Sequence, residues 1–200
     1  MAKEQPPALV IEATACTSTG PDEQTPADDS YQTAITELTD AQRAWYEKER
    51  TDGIDSSWML TSPEPPATDE AIHVAEQRLG VHFDQQYTQW LHHVNGWKSF
   101  SGATDLLPLD SIARDSLPAQ GLQVYSESGE LTPDRVGVDS FDDLIVIGGT
   151  EEGSNFIAIE AAPNPETASM PVYEFGHGDV TKYDDFKTFL QSEIDTLNQI

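Results

Sequence analysis

The chain has 200 residues and a mass of 22.0 kDa, a length that suits one domain with an extension or two small domains. It carries 36 acidic and 10 basic residues, a formal net charge of −26, which disfavours nucleic acid and anionic membrane as direct partners, because both are held by Lys and Arg. No apolar run approaches the ~20 residues that span a bilayer, and the single cysteine, Cys16, excludes an intramolecular disulfide and a multi-cysteine metal site.

The hydrophobic share of 37% is low but above that of a wholly disordered chain. These values describe a soluble, very acidic protein, expected in the cytoplasm. The charge has three readings. It matches the acidic surfaces of salt-adapted cells, where salt screens self-repulsion. It equally suits an acidic face that steers a basic partner, or solvated faces with no further role. The carboxylates are spread along the chain with no run of five, which argues against an acidic tail.

Residues 1–30 read as a flexible acidic extension with Pro6, Pro7, Pro21 and Pro26. Their one apolar stretch, Ala8-Leu9-Val10-Ile11, is shorter than the ~7–15 residues of a secretory core. Ala13-Thr14-Ala15-Cys16 faintly resembles a lipoprotein cleavage site but lacks that core. Asp28-Asp29-Ser30 offers a helix cap, and Ile35, Leu38, Ala41 and Trp45 follow at helical spacing, with Gly53 as the stop. Residues 54–67 form a linker with Pro63, Pro65 and Pro66, which Trp58 and Leu60 are expected to pin to the core. The division expected is an extension over 1–30, a helix and Pro-rich linker over 31–67, and a domain over 68–200.

Thr68 reads as a second cap, with Ile72, Ala75 and Leu79 on one face and Gly80 as the left-handed stop. Asp84 caps a third helix, where Tyr87, Trp90, Leu91 and Val94 recur at i, i+3, i+4 and i+7 before Asn95-Gly96. The period then changes. Leu106-Leu107-Pro108-Leu109 reads as extended, and Asp110 could cap a brief helix near Ile112. Leu144-Ile145-Val146-Ile147 reads as a buried strand ended by Gly148-Gly149, with Phe156, Ile157, Ala158 and Ile159 as its hairpin partner. Val172, Tyr173 and Phe175 suggest a third strand. A last helix begins near Asp184 and carries Phe186, Phe189, Leu190, Ile194 and Leu197 on one stripe. Helices, then a strand meander, then a closing helix predict an α+β fold, with helices packed on one side of a mostly antiparallel sheet.

Motifs for chemistry are sparse. There is no Gly-x-Ser-x-Gly elbow and no phosphate loop; Gly148, Gly149 and Gly153 suit a hairpin turn, and Glu151-Glu152 would repel phosphate. His73, His82, His92 and His93 lack the His-x-x-x-His spacing, since neighbours such as His92 and His93 point ~100° apart on a helix. His177 falls in a glycine loop. Asp139, Asp142 and Asp143 lack calcium-loop spacing. Neither a metal nor another cofactor is expected, and no carboxylate pair stands out as acid and base. Trp97 and Phe100 have two readings: an exposed aromatic pair able to anchor a partner, or rings tucked under the sheet.

The stretch from Thr68 to Gly96 resembles the signature of the SMI1/KNR4 (SUKH) superfamily. Glu76, Leu79-Gly80, Phe83, Asp84, Tyr87, Leu91 and Asn95-Gly96 match it in order, with Asp84 where the family has Pro. Asp serves as N-cap where Pro would serve as N1. Downstream, residues 105–109, the hairpin over 145–159, residues 173–175 and Phe186 with Phe189-Leu190 resemble the family's strands and closing helix. The resemblance spans about 130 residues. It implies the α+β fold, no catalysis and a protein partner. Bacterial members are largely immunity proteins that silence a toxin, often a nuclease; fungal members regulate cell-wall synthesis. The expected partner is a basic toxin domain, engaged by Asp139, Asp142, Asp143, Glu151 and Glu152, with Trp97 and Phe100 as candidate anchors. The alternative is a regulatory or scaffolding module whose acidity reflects a salty habitat.

Overall fold

Capped amphipathic helices build the first half of the fold. The computed structural model describes residues 29–129, 131–176 and 178–199; Cys16, Asp28, the other residues of the extension up to 28, and His177 lie outside the described residues. Helix α1 (Asp29–Thr51) buries Tyr31, Ile35, Leu38, Ala41 and Gln42. Helix α2 (Asp69–Leu79) starts at Thr68, whose hydroxyl accepts the Ala71 N–H, and stops at left-handed Gly80. Helix α3 (Gln85–Leu91) starts at Asp84, whose carboxylate accepts the Tyr87 N–H at 2.9 Å. These side chains satisfy amides that a helix end leaves open.

The segment between α1 and α2 is held differently from expectation. Met59 is fully buried in a 3-10 turn over Ser57–Met59, whereas Trp58 and Leu60 are exposed. Three consecutive side chains on a tight turn diverge, and only the middle one reaches the core. Backbone bonds complete the attachment: the Glu64 and Ala67 N–H groups donate to the Gly96 and Leu91 carbonyls, each at 2.8 Å.

Six antiparallel strands follow in sequence order: β1 (Trp97–Ser101), β2 (Thr104–Leu106), β3 (Leu144–Gly149), β4 (Asn155–Glu160), β5 (Val172–Gly176) and β6 (Asp179–Tyr183). Strands β3 and β4 are apolar on both faces. Ile145, Ile147, Ile157 and Ile159 join one core with α1, α2, α3 and the closing helix α6 (Phe186–Gln199). Leu144, Val146, Phe156 and Ala158 join a second core with Tyr173 and Phe175. That second face is covered by Leu122 of helix α4 (Leu117–Ser128), Leu131, Val136 of helix α5 (Pro133–Val136) and Val138.

The α+β class and the antiparallel sheet are as the sequence indicates. Helices on one side alone are not: α1, α2, α3 and α6 share one face, and α4 and α5 lie on the other. An uncovered second face would leave Val146, Phe156 and Phe175 in water, at roughly 1.5–3 kcal/mol for each large side chain. The residues around Ile112 form turns rather than the helix expected from Asp110, with the Ser111 and Ile112 N–H groups both donating to the Pro108 carbonyl.

Two glycines permit close approaches between elements. A Cβ on Gly148 would lie 2.5 Å from the Asp105 carbonyl oxygen across the β2–β3 pairing. One on Gly121, inside α4, would lie 2.7 Å from the Gly153 carbonyl oxygen and strike the Phe156 ring.

A buried carboxyl sits under α6. Glu193 lies beside Ser101 at the end of β1 and Glu174 of β5. Burial, with the Glu174 charge adding to it, pushes its carboxyl up to about 7 against the hydrogen bond from Ser101. Tyr183 of β6 donates to Glu174 Oε2 at 2.9 Å and is itself pushed up to about 12, chiefly by burial.

Two outcomes follow from this packing. Gly148→Ala should lower unfolding stability by more than about 2 kcal/mol, because the contact is with backbone and cannot relax cheaply; a denaturant midpoint equal to that of the parent would contradict it. For Glu193, the folded state keeps a proton that the unfolded state has released. Stability should therefore fall as pH rises from 4.5 to about 7, by on the order of 3 kcal/mol, and then level off. Glu193→Gln should flatten that slope in thermal or denaturant unfolding; an unchanged slope would assign it to other groups.

Candidate interaction surface

The aromatic pair after Asn95-Gly96 belongs to the core. Trp97 and Phe100 are both fully buried, so neither can anchor a partner. In a regular strand, side chains three apart face opposite sides. Here Ser99 adopts a left-handed φ of 51°, and the β1–β2 register shifts between Trp97 and Ser101. The bulge turns both rings to the same side, where their centroids lie 5.7 Å apart and Phe100 stacks on Phe189. Gln42 of α1 holds the bulge, donating to the Ser99 and Phe100 carbonyls at 3.0 and 2.9 Å. The Trp97 indole N–H donates to Thr61 Oγ1 at 3.1 Å, and the Thr61 hydroxyl donates to the Lys98 carbonyl.

The other motif residues are also architectural. Glu76 Oε1 accepts the Phe83 N–H at 2.9 Å, which closes the turn after Leu79 and Gly80. Tyr87 packs edge-on against Phe83 and Phe186, and Leu91, Phe189 and Leu190 are buried. Asn95 Oδ1 accepts the Leu109 N–H at 2.9 Å, and a Cβ on Gly96 would meet the Pro108 nitrogen at 2.8 Å.

The five candidate carboxylates are all exposed, and β3 separates them into two groups. Asp139, Asp142 and Asp143 lie at its start, the last two in a 3-10 turn over Phe141–Asp143 capped by Ser140. Glu151 and Glu152 lie in the turn after its end. A strand of six residues puts the groups on the order of 20 Å apart.

Helix α4 bridges the two groups on the second face of the sheet. Its start lies against the Glu151–Glu152 turn, since a Cβ on Gly153 would meet the Leu117 carbonyl oxygen at 3.1 Å. Its last turn, with Ser126 and Glu127, lines a cleft of about 370 Å³ shared with Phe141, Asp142 and Val146. On its outer side, Leu117 and Val124 are exposed to 61% and 64%. Seven residues apart, they share one side of the helix. Apolar periodicity does not mark α4; its sequence signals are Ser116 as cap, Pro118 in the first turn and Gly129 as the left-handed stop.

Among the described residues, the histidines do not converge. His82 Nδ1 lies 3.7 Å from Glu76, His92 Nε2 lies 3.3 Å from Asp69, His73 contacts Gln77, and the His93 ring lies against Tyr31. Among the described residues, no three His, Cys, Asp or Glu side chains are grouped to hold a metal, and no helix is long and apolar enough to cross a membrane.

Comparison with curated proteins gives no match. The model of the SMI1 / KNR4 family (SUKH-1) matches residues 66–192, from just before the Thr68 cap to the middle of α6. That span holds more than half of the 200 residues, including all six strands. The chain belongs to the SMI1/KNR4 family (SUKH-1).

Proposed function

We propose that this protein is a non-catalytic immunity protein, which neutralises a basic toxin domain by stoichiometric binding. Family membership carries the reading, because the resemblance to bacterial and fungal members implies a protein partner. The charge supports it. A surface with a formal −26 attracts a basic domain over a Debye length and speeds its capture. Where the toxin is a nuclease, carboxylates at both ends of β3 stand in for the phosphates that its active surface binds. Occlusion needs no chemistry from the immunity protein.

A regulatory or scaffolding module is the second reading. The observation that favours it is the spread of carboxylates well beyond β3, as on α1, which carries Asp29, Glu37, Asp40, Glu47 and Glu49. A salt-adapted surface has that distribution.

Affinity capture from the native host, at the host's own ionic strength, separates the two. The proposal predicts recovery of one basic toxin domain, released only by high salt or denaturant; recovery of housekeeping regulators would favour the second reading. With the toxin in hand, Asp142→Lys, Asp143→Lys, Glu151→Lys and Glu152→Lys combined should slow association about tenfold or more and flatten its salt dependence. Kinetics equal to those of the parent would remove these groups from the steering face.

A further inference from the structure

Helix α4 is unusual for the surface of such a chain. Of its 12 residues only Glu127 is charged, whereas 23% of the whole chain is Asp, Glu, Lys or Arg. Its outward Leu117 and Val124 are the most exposed large hydrophobic residues among those described; the next, Ile54, is exposed to 54%. These side chains contribute little to folding in that position. The helix is not loosely placed either, because Gly121 lets it seat directly on Phe156 and the Gly153 carbonyl. A closely seated, nearly uncharged ridge thus lies between two exposed acidic groups, Glu151 and Glu152 at its start and, towards its end, the group of Asp139, Asp142 and Asp143, of which Asp142 lines the same cleft as Glu127. The cleft along its side adds apolar walls from Leu122, Phe141 and Val146, with Arg114, Glu127 and Asp142 also lining it.

We infer that the outer face of α4 is the contact ridge for a basic protein surface, with Leu117 and Val124 seated in an apolar hollow and cationic patches meeting the carboxylates at either end. An apolar centre inside a charged rim is the anatomy of a protein interface. Charge complementarity identifies the occupant. A second copy of this chain laid along α4 would set carboxylates against carboxylates at both ends, whichever way it ran. Nucleic acid and anionic lipid are repelled by the same groups. A basic protein satisfies both the ends and the middle. The inference rests on the reading of the chain as a binding protein and adds where the contact is made.

The test uses the full chain, isotope-labelled for NMR, and a synthetic helical peptide about as long as α4, with a Leu stripe in its centre and Lys at both ends. At physiological salt the shifts should cluster in residues 116–128, 139–143 and 151–153. Leu117→Asp with Val124→Asp should weaken binding about tenfold, whereas Val74→Asp, at a residue of α2 exposed to 53%, should not. A peptide of equal charge with Gln in place of Leu should also bind about tenfold more weakly. Shifts spread evenly over the acidic surface, equal binding of the Gln peptide, or no binding of either peptide would overturn the inference. A captured toxin whose affinity is unchanged by Leu117→Asp with Val124→Asp would also overturn it, while leaving the immunity reading intact. Failure to capture any toxin would count against the immunity reading alone, and the peptide result would still decide the role of α4.

Discussion

The fold depends on a pair of central strands that must be dry on both sides. Strand β3 has no charged residue, and β4 has only Glu160 at its end. In a chain of net charge −26 this concentrates the carboxylates outside the centre of the sheet, into its loops and onto helix exteriors. Two separate cores result, one beneath α1, α2, α3 and α6 and one beneath α4 and α5. Apolar burial on this scale opposes the mutual repulsion of the surface charges, which salt weakens further.

The two-sided sheet also sets where the surface can be specific. Turns at the ends of β3 present the acidic groups, and the cover over the second face presents the ridge between them. The spacing of the groups is thus a property of strand length, and the ridge is a by-product of the need to cover Phe156 and Phe175. The first core reaches beyond the family match as well. Residues preceding 66 are tied to it through Tyr31, whose hydroxyl donates to the Gln86 carbonyl at 2.9 Å, and through Gln42 on the β1 bulge. Gln42 is buried, and its amide donates to two carbonyls of the irregular strand.

Much of this architecture is legible in the sequence wherever a local signal coincides with burial. Thr68, Gly80 and Asp84 mark helix ends, and Tyr87, Trp90 and Leu91 mark the buried side of α3, which stops at Leu91, short of the Val94 that the sequence spacing includes. The continuous apolar run from Leu144 marks a strand covered on both faces, although it does not say what covers it. The parts that stay hidden are those decided by tertiary contact. Helix α4 carries Pro118, Gly121 and two serines, a poor helical pattern that makes sense only against Phe156. Strand β1 is masked by the Ser99 bulge, which breaks the alternation. Strand β6 is a polar edge, with Lys182 over the Tyr173 ring at 5.2 Å. Met59 rather than Trp58 anchors its loop because a turn's orientation is set by its neighbours. For the candidate interaction surface, the exposure of the carboxylates follows from their chemistry. Their division into two groups, and the apolar ridge between them, does not.

The most direct measurement on this account is native-state hydrogen exchange across the sheet. If the two-sided burial of β3 and β4 holds the fold together, amides in 145–147 and 157–159 will exchange only through global unfolding, with protection equal to the full unfolding free energy. Those of α4 will share that protection or open just below it. Exchange of the β3 and β4 amides through a local opening, while α1 and α6 remain protected, would show that the helices hold together without the central strands and would contradict the account.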